Sequence, residues 1–255
     1  MLPVLMYHSV PVSGQGNPLA VPRQLVDRQW RALRADGWSL RGLTEALAIA
    51  RADHQARTIG VTFDDGYANF LSVLELLSVH QGRATLYLPT SQPGESGQPP
   101  RPNDRSLSWA EIASLPRDLV EIGSHSHVHR PLDVLSWADI DHEVRHSRRL
   151  LAERLGVEAV SFCYPNGYSS RRVRQAVSAA GYTNACVIGH RLADPDGSPY
   201  AVPRFQVTPA YDEARIVALV RSGEAGLSPR LKRVAYPTWR VARQAVYRTT
   251  GLVLT

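Results

Sequence analysis

The sequence predicts an α/β protein folded as a barrel, complete or distorted, of mostly parallel strands. Short apolar runs rich in β-branched residues alternate with segments of helical periodicity, the pattern of parallel strands joined by crossover helices. The strand-like runs are too numerous for a small sandwich, and neither a repeat of fixed period nor a long linker divides the body. Polar clusters follow four of the runs, at the positions where barrels of this class carry their reactive residues.

Each predicted strand is a short run of apolar and β-branched residues. Residues 58–63, Thr-Ile-Gly-Val-Thr-Phe, have no strongly polar member, so this strand is expected to be buried on both faces. The predicted strands are residues 2–7, 58–63, 84–88, 119–123, 160–163 and 183–187.

Helical periodicity and end signals predict the helices between these strands. Thr44 is a candidate cap of the second helix, and Ser108 with Glu111 forms a capping box that begins a short helix. Glycines end three of the helices: Gly37, Gly82 and Gly181. The predicted helices are residues 24–35, 43–51, 67–80, a short segment after Ser108, and residues 136–155, 171–180 and 212–221.

The composition is that of an ordinary globular protein. The chain has 255 residues, 44% hydrophobic and 20% charged, which argues against disordered, collagen-like and disulfide-scaffold classes. We expect no membrane span, because no run of about 18 apolar residues occurs. The N-terminus lacks the basic start and long apolar stretch of a secretory signal. Two cysteines, Cys163 and Cys186, are compatible with a reducing compartment, and we expect a cytoplasmic protein.

The charge is concentrated at the C-terminus. Six of the 29 basic residues lie in residues 225–255, which contain no acid, so the other 23 basic residues balance the 23 acidic ones. We therefore divide the chain into a barrel over residues 1–224 and a basic tail over residues 225–255. A neutral body with a basic tail is not the pattern of a nucleic-acid-binding protein, and no nucleic-acid partner is expected.

The tail has the periodicity of an amphipathic helix. Its apolar residues fall on one half of the helical wheel and its six basic residues on the other. Such a helix favours peripheral contact with an anionic membrane through residues 230–250, which would place the protein at the inner face of the membrane. The alternative is a terminal helix that packs on the barrel and leaves its charges in water.

Two adjacent carboxylates, Asp64 and Asp65, end the buried strand 58–63. Adjacent carboxylates repel each other and lose hydration on burial unless a positive charge lies nearby. Gly66 permits a sharp turn, so the functional interpretation is one metal ligand and one general base. The alternative is a surface Asp-Asp-Gly turn, since Asp-Gly is common in turns.

Two histidines, His125 and His129, follow strand 119–123 with a spacing of four. This spacing can place two imidazoles on one side of a single turn, and two histidines with one carboxylate form a zinc site that leaves a position for water. His127 would then point away, and we assign it no role. The alternative is a solvated polar loop. The other two strand-end clusters are His8 and the Tyr-Pro-Asn-Gly sequence of residues 164–167.

A second motif, His142-Glu143-Val144-Arg145-His146, fits the His-Glu-x-x-His pattern of zinc proteases. The helical phase argues against a metal site there. The apolar residues of this helix form one stripe, which we expect to face the core. The two histidines of the motif lie on the opposite face, which we expect in solvent. The stripe comprises Trp137, Ile140, Val144, Leu151 and Leu155, and the opposite face His142, His146, Arg149 and Glu153.

Three motifs in this order resemble the polysaccharide deacetylases (the NodB-homology domain, carbohydrate esterase family 4). They are residues 62–67 (Thr-Phe-Asp-Asp-Gly-Tyr), 124–129 (Ser-His-Ser-His-Val-His) and 162–167 (Phe-Cys-Tyr-Pro-Asn-Gly). The opening Leu-Met-Tyr-His-Ser-Val of residues 5–10 resembles the branch of poly-N-acetylglucosamine deacetylases. The resemblance covers about residues 2–220.

This resemblance implies a distorted (β/α) barrel with fewer than eight regular units. It implies a divalent metal, usually zinc, held by Asp65, His125 and His129, with Asp64 as general base. It also implies an oxyanion contribution from a backbone N–H in the 164–167 turn, for which alignment selects Asn166.

The sequence departs from the usual family pattern at three points, one of which is that the usual Asp-Trp element is not evident. Cys163 stands where an arginine usually steadies the catalytic base, and Arg204 is a candidate substitute; its alternative role is packing over a strand edge. No histidine follows His190, so the usual late general acid is missing, and the resemblance to the Tyr-His branch points to His8 instead.

The expected function is therefore metal-dependent hydrolysis of acetyl groups on N-acetylated sugars of a polysaccharide or glycan precursor, with release of acetate. The bond cleaved would be an amide bond other than a peptide bond. Two alternatives remain: a catalytically inactive carbohydrate-binding barrel, and a zinc protease that uses His142 and His146.

Overall fold

Seven parallel strands form a closed barrel in the computed structural model, which describes residues 1–12, 19–91, 105–223 and 247. Around the ring the order is β1, β8, β7, β6, β5, β4 and β3, and pairing of β1 with β3 closes it. The eighth strand, β2, lies outside the ring against β3. The strands are β1 (Val4–Tyr7), β2 (Ser39–Arg41), β3 (Thr58–Phe63), β4 (Ala84–Leu88), β5 (Val120–Ser124), β6 (Ser161–Cys163), β7 (Asn184–Ile188) and β8 (Val202–Gln206).

Parallel pairing requires crossover connections, and each one contains an α-helix except the connection from β7 to β8, which has only a 3₁₀ turn. Short 3₁₀ turns occupy residues 68–72, 132–134, 165–167 and 199–201. None of the helices among the described residues is both long and apolar enough to cross a bilayer. The helices are α1 (Arg23–Ala35), α2 (Leu43–Ala52), α3 (Val73–Val79), α4 (Trp109–Ala113), α5 (Trp137–Leu155), α6 (Arg171–Ala179) and α7 (Glu213–Ser222).

The strand β3 shares one of its edges between two neighbours. Its first half, residues 58–60, pairs with β2, and its last two residues, Thr62 and Phe63, pair with β4. The opposite edge pairs along Gly60–Phe63 with β1. Because β2 takes only half of this edge, the ring closes with seven strands rather than eight.

The main core lies between the strands and the surrounding helices. Tyr7 of β1 stacks on Phe63 of β3 with ring centroids 5.3 Å apart, and Phe63 meets Phe70 edge-on at 5.0 Å. Trp30 of α1 covers this group and is fully buried. Since side chains alternate along a strand, Thr62 and Asp64 project to the other side from Phe63.

A second, smaller core cluster joins the strands to helix α2. It contains Val4, Tyr87 and Cys163 from three strands, together with Leu43 and Leu47 of α2. Leu43 begins the helix, and its N–H donates to the hydroxyl of Thr85, 2.7 Å away. Both cysteines are buried and free.

The predicted fold class and six predicted strands are confirmed, and the capping box at Ser108 and Glu111 is present. Two strands, β2 and β8, were not predicted. The helix predicted over residues 67–80 is instead a 3₁₀ turn followed by α3. The prediction that Thr44 caps α2 is wrong: Gly42 is the N-cap, and the Thr44 hydroxyl hydrogen-bonds to Glu121 of β5. The predicted basic tail, residues 225–255, lies outside the described residues except for position 247.

Candidate active site

The predicted polar clusters lie at the carboxyl end of the barrel. Because the paired strands are parallel, the residues that follow β1, β3, β5 and β6 emerge at the same end. This end therefore collects His8, Asp64 with Asp65, the 125–129 loop and the 164–167 turn. The prediction that these four motifs share one end of the barrel is confirmed.

Arg204 of β8 holds the carboxylate of Asp64 with two hydrogen bonds. Its Nη1 lies 2.7 Å from Asp64 Oδ1 and its Nη2 2.7 Å from Asp64 Oδ2, a bidentate geometry that fixes the carboxylate plane. Nη1 also donates to the Thr62 hydroxyl at 2.9 Å and Nη2 to the Cys163 sulfur at 3.0 Å. Arg204 is fully buried, so it does not merely pack over a strand edge.

The Arg204 contact keeps Asp64 ionised. Burial alone raises the pKa of Asp64, but the charge of Arg204 and its hydrogen bonds outweigh burial and lower the pKa to about 2. The Cys163 sulfur lies 3.4 Å from Asp64 Oδ2, and burial raises the pKa of this thiol well above its ordinary value. Asp64 is thus a buried, oriented carboxylate at neutral pH.

Asp65, His125 and His129 bring three ligand atoms together. Asp65 Oδ1 lies 3.5 Å from His125 Nε2 and 3.3 Å from His129 Nε2, and the two Nε2 atoms are 3.1 Å apart. Ligand atoms about 2.1 Å from a tetrahedral zinc ion are about 3.4 Å from each other. The spacing and the two-nitrogen, one-oxygen donor set therefore fit a divalent cation such as zinc.

The electrostatics of this triad favour a positive charge among the three ligand atoms. Burial lowers the pKa of His125, but the hydrogen bond to Asp65 and the charges of Asp64 and Asp65 outweigh burial and raise it. Burial raises the pKa of Asp65, and hydrogen bonds from the two histidines reverse this and hold it well below the ordinary range. A bound cation supplies the same positive charge that an imidazolium does.

A hydrogen bond to the ring nitrogen farther from the triad fixes the orientation of His125. Its Nδ1 lies 2.8 Å from the carbonyl oxygen of Cys163. A carbonyl only accepts hydrogen bonds, so Nδ1 carries a proton and Nε2 is left to face Asp65 and His129. Hydrogen bonding of the distal nitrogen in this way is usual for metal-ligating histidines.

Three non-glycine residues in the two segments that carry the triad adopt left-handed backbone conformations. Asp65, Ser126 and His129 have φ values of 71°, 65° and 57°. Such conformations are uncommon for non-glycine residues and concentrate at functional sites, where the surrounding structure holds them. At His129 the backbone N–H donates to the Ser126 hydroxyl at 3.2 Å, which stabilises the turn.

Glu143 of α5 anchors the 125–129 loop, a role that was not predicted from the sequence. The side chain is buried, and its Oε2 accepts the backbone N–H groups of His127 and Val128 at 2.8 and 2.9 Å. Glu143 is therefore not available as the general base of a protease. His142 is exposed, as predicted, and His127 points away from the triad to pack edge-on against His146 at 4.4 Å.

A second group of potential ligands, Asp64, His125 and Cys163, also lies within 4.8 Å. It is the weaker donor set, because Arg204 already occupies both Asp64 oxygens and the Cys163 thiol is protonated. A thiolate, not a thiol, is the metal ligand. The group of Asp65, His125 and His129 contains no thiol, and Arg204 does not bind its carboxylate.

His8 and Asn166 lie at the same end of the barrel as the triad, and within the described part of the chain neither hydrogen-bonds to it. His8 follows β1 next to Asp64, whose N–H donates to the Tyr7 carbonyl at 3.0 Å. Burial lowers the pKa of His8, and the charges of Asp64 and Asp65 oppose this only in part. Asn166, with φ 57°, follows β6, and its Nδ2 is buried without a hydrogen-bond partner among the described residues.

A closed parallel barrel with an oriented carboxylate and an Asp-His-His triad at the carboxyl ends of its strands has the architecture of a barrel enzyme. The chain belongs to the polysaccharide deacetylase family: the family model described as "Polysaccharide deacetylase" matches residues 51–185, just over half of the chain. The resemblance inferred from the sequence motifs is confirmed.

Individual relatives are distant in sequence and similar in fold. YxkH of Bacillus subtilis (strain 168), whose name assigns it to the polysaccharide deacetylases, is 24% identical over 224 residues, covering 87% of this chain and 76% of YxkH. The deacetylase PplD of Streptococcus pyogenes, solved with acetate, superposes with a TM-score of 0.74 at 18% identity, covering 86% of this chain and 97% of PplD. IcaB from Ammonifex degensii superposes with a TM-score of 0.73 at 22% identity, covering 87% of this chain and 97% of IcaB. These structural likenesses establish the barrel fold.

Proposed function

We propose that this protein is a metal-dependent hydrolase that removes acetyl groups from N-acetylated sugars of a polysaccharide or glycan precursor and releases acetate. The observation that carries the proposal is the convergence of Asp65, His125 and His129, whose ligand atoms are 3.1, 3.3 and 3.5 Å apart. The family and the acetate in the PplD structure support deacetylation as the reaction. We further propose zinc as the cation, because two imidazoles and one carboxylate are a preferred zinc donor set.

A divalent cation held by this triad would lower the pKa of a water molecule and polarise the acetyl carbonyl. Asp64 then accepts the proton that water loses as its oxygen adds to the carbonyl carbon. Arg204 is a positioning residue, because it orients the Asp64 carboxylate and keeps it ionised. A carboxylate with a pKa near 2 is a weak base, so proton transfer to Asp64 would depend on the lower water pKa that a cation on the triad would supply.

The second half of the reaction breaks the carbon–nitrogen bond. The backbone N–H of Asn166 is proposed to donate to the oxyanion of the tetrahedral species. His8 is proposed to give a proton to the departing sugar nitrogen, which leaves as a free amine while the acetyl group leaves as acetate. Because the pKa of His8 is lowered, its imidazolium is a stronger acid than an ordinary one once it carries a proton.

The test is acetate release from a panel of N-acetylated and O-acetylated glycans, with and without a chelator. We expect release from N-acetylated glycans, loss of release with the chelator and recovery with added zinc. Binding of glycan without acetate release under all conditions would instead support an inactive carbohydrate-binding barrel.

Two variants separate the metal site from the base. Asp65→Asn is preferred to Asp65→Ala because asparagine tolerates the left-handed backbone at this position. We expect Asp65→Asn to lose both bound zinc and activity, and Asp64→Asn to retain zinc and lose at least about 100-fold in kcat. Asp141→Asn, on the exposed face of α5, is the matched control. Unchanged zinc affinity in Asp65→Asn contradicts the ligand assignment.

A further inference from the structure

A cavity of about 550 Å³ opens beside Asn166, next to the proposed catalytic residues. Residues at or just beyond the carboxyl ends of β6, β7 and β8 line it, including Asn166, Gly189 and Gln206, and helix α6 contributes Arg174. None of these residues has a role in the reaction proposed above except the backbone N–H of Asn166. The cavity therefore adjoins the proposed reaction site through Asn166, and its other lining residues are not yet accounted for.

Two buried hydrogen-bond donors line this cavity without an acceptor. Asn166 Nδ2 and Arg174 Nε are both shielded from solvent, and neither has a hydrogen-bond partner among the described residues. Most buried polar groups in folded proteins are hydrogen-bonded, because a buried donor without an acceptor loses its hydration and gains nothing in return. Two such donors on one cavity point to a ligand that brings acceptor oxygens.

The charge of the cavity wall has a single sign. Arg174 and Arg191 line it, and no aspartate or glutamate occurs among its described lining residues. Neither arginine forms an ion pair within the described part of the chain. A guanidinium is well suited to carboxylate and phosphate groups, since its planar N–H fork donates two parallel hydrogen bonds. An anionic group therefore fits this wall better than a neutral sugar hydroxyl.

The backbone ties this cavity to the catalytic residues. Gly189 and His190 donate their N–H groups to the carbonyl of Arg204 at 3.2 and 3.0 Å, and the Arg204 side chain holds Asp64. Gln206, two residues after Arg204 on β8, lines the cavity. A group bound there would lie on a part of the substrate that neighbours the acetylated sugar.

We propose that this cavity binds an anionic substituent of the glycan, a carboxylate or a phosphate, and that the natural substrate is therefore an acidic glycan. The proposal rests on the proposed deacetylase function. Asn166 and Arg174 supply the hydrogen bonds, and Arg174 and Arg191 the charge.

The test compares Arg174→Gln with the wild type on three N-acetylated oligosaccharides: a neutral one, one with a carboxylate and one with a phosphate. We expect the rise in KM for the acidic substrates to exceed the rise for the neutral substrate by about tenfold or more, as loss of a charged hydrogen bond predicts. The two acidic substrates distinguish carboxylate from phosphate as the preferred group. Arg171→Gln, at an exposed position of the same helix and outside the cavity, is the matched control and should change neither value.

An equal rise in KM for neutral and acidic substrates overturns the proposal, as does a matching effect of Arg171→Gln. Direct titration separates this outcome from failure of the proposed function. Inorganic phosphate and glucuronate are titrated into the wild type and Arg174→Gln by calorimetry. If the wild type deacetylates nothing but binds one of these anions and Arg174→Gln does not, the cavity proposal stands and the deacetylase proposal fails. Absence of binding to both anions by the wild type contradicts the cavity proposal.

Discussion

Arg204 forms a buried ion pair with Asp64. It is fully buried with its guanidinium on Asp64, so each charge compensates the other inside the barrel. Breaking a buried ion pair by removing one partner is more costly than removing both, because a single buried charge loses hydration without compensation. The pair therefore has a structural role as well as the proposed catalytic one.

This pairing predicts strong coupling between two substitutions. Asp64→Asn leaves Arg204 buried and unpaired, and we expect a loss of about 3–5 kcal/mol in the free energy of unfolding. Arg204→Met should also destabilise, and the double variant Asp64→Asn/Arg204→Met should be more stable than the sum of the single losses implies. Denaturant unfolding in the presence of a chelator measures the free energy of unfolding of the wild type, the two single variants and the double variant. Additive losses would show that the two side chains do not compensate each other.

Most of the proposed site residues could be predicted from the sequence because they follow strands directly. Asp64, Asp65, His125 and His129 were placed by the strand-end rule and the spacing of the histidines. Glu143 was missed, although it lies three residues after Ile140 on the buried side of α5. A carboxylate on the buried face of a helix was the available signal, but its partners, two backbone N–H groups of a distant loop, are not encoded locally.

At the scale of elements, the predictions fail where a strand is short or contains proline. β2 has only three residues and lies between two helices, too short for a periodic pattern. β8 contains Pro203, which cannot donate to the sheet, and proline argues against a strand in sequence reasoning. Tertiary pairing with β7 and β1 nevertheless holds β8 in the ring.

The capping box of α4 provides a test of element stability. The Ser108 hydroxyl accepts the Glu111 N–H, and the Glu111 carboxylate accepts the Ser108 N–H at 2.8 Å and also pairs with Arg105. Because α4 has only five residues, its start depends on this cap. We expect Ser108→Ala to lower the free energy of unfolding by about 1 kcal/mol, measured by denaturant unfolding. Ser222→Ala, at the exposed end of α7, should have a smaller effect; equal effects would contradict a capping role.

Glu111 adds a pH dependence to the same cap. Hydrogen bonds from Arg105, then from the Ser108 backbone and hydroxyl, lower its pKa to about 2 from an ordinary 4.5. A lowered carboxyl pKa stabilises the fold above the ordinary pKa, and this contribution is lost as the pH falls toward the folded-state value. The difference in stability between the wild type and Glu111→Gln should therefore shrink as the pH is lowered from about 6 to about 3. A stability difference that does not change with pH would contradict this role of Glu111. So would the same trend in Glu158→Gln, a control at an exposed side chain.

At the scale of the whole molecule, the class of fold was predictable and its closure was not. Alternation of strands and helices predicts parallel pairing, since each crossover helix returns the chain to the same end of the sheet. Closure depends on pairing of β1 with both β3 and β8, contacts between residues as distant as Leu5 and Phe205. No local pattern encodes such a contact.

The Asp-His-His triad joins different parts of the barrel, so a cation should stabilise the entire fold. Asp65 follows β3, whereas His125 and His129 follow β5. A ligand that binds only the folded state adds about 2.7 kcal/mol at a concentration 100 times its Kd. We expect zinc to raise the Tm and a chelator to lower it, with neither effect in Asp65→Asn. Thermal unfolding with and without zinc measures this, and equal shifts in wild type and variant would contradict the assignment.

The pairing of β1 with β8 also bears on how the protein is made. A ribosome releases the strands in order, so Leu5 emerges some two hundred residues before Phe205, its neighbour in the finished ring. Asp64 is likewise synthesised long before Arg204, its ion-pair partner. Until β8 leaves the exit tunnel, β1 has no β8 to pair with and Asp64 has no Arg204 beside it, so neither the closed ring nor this ion pair can form earlier.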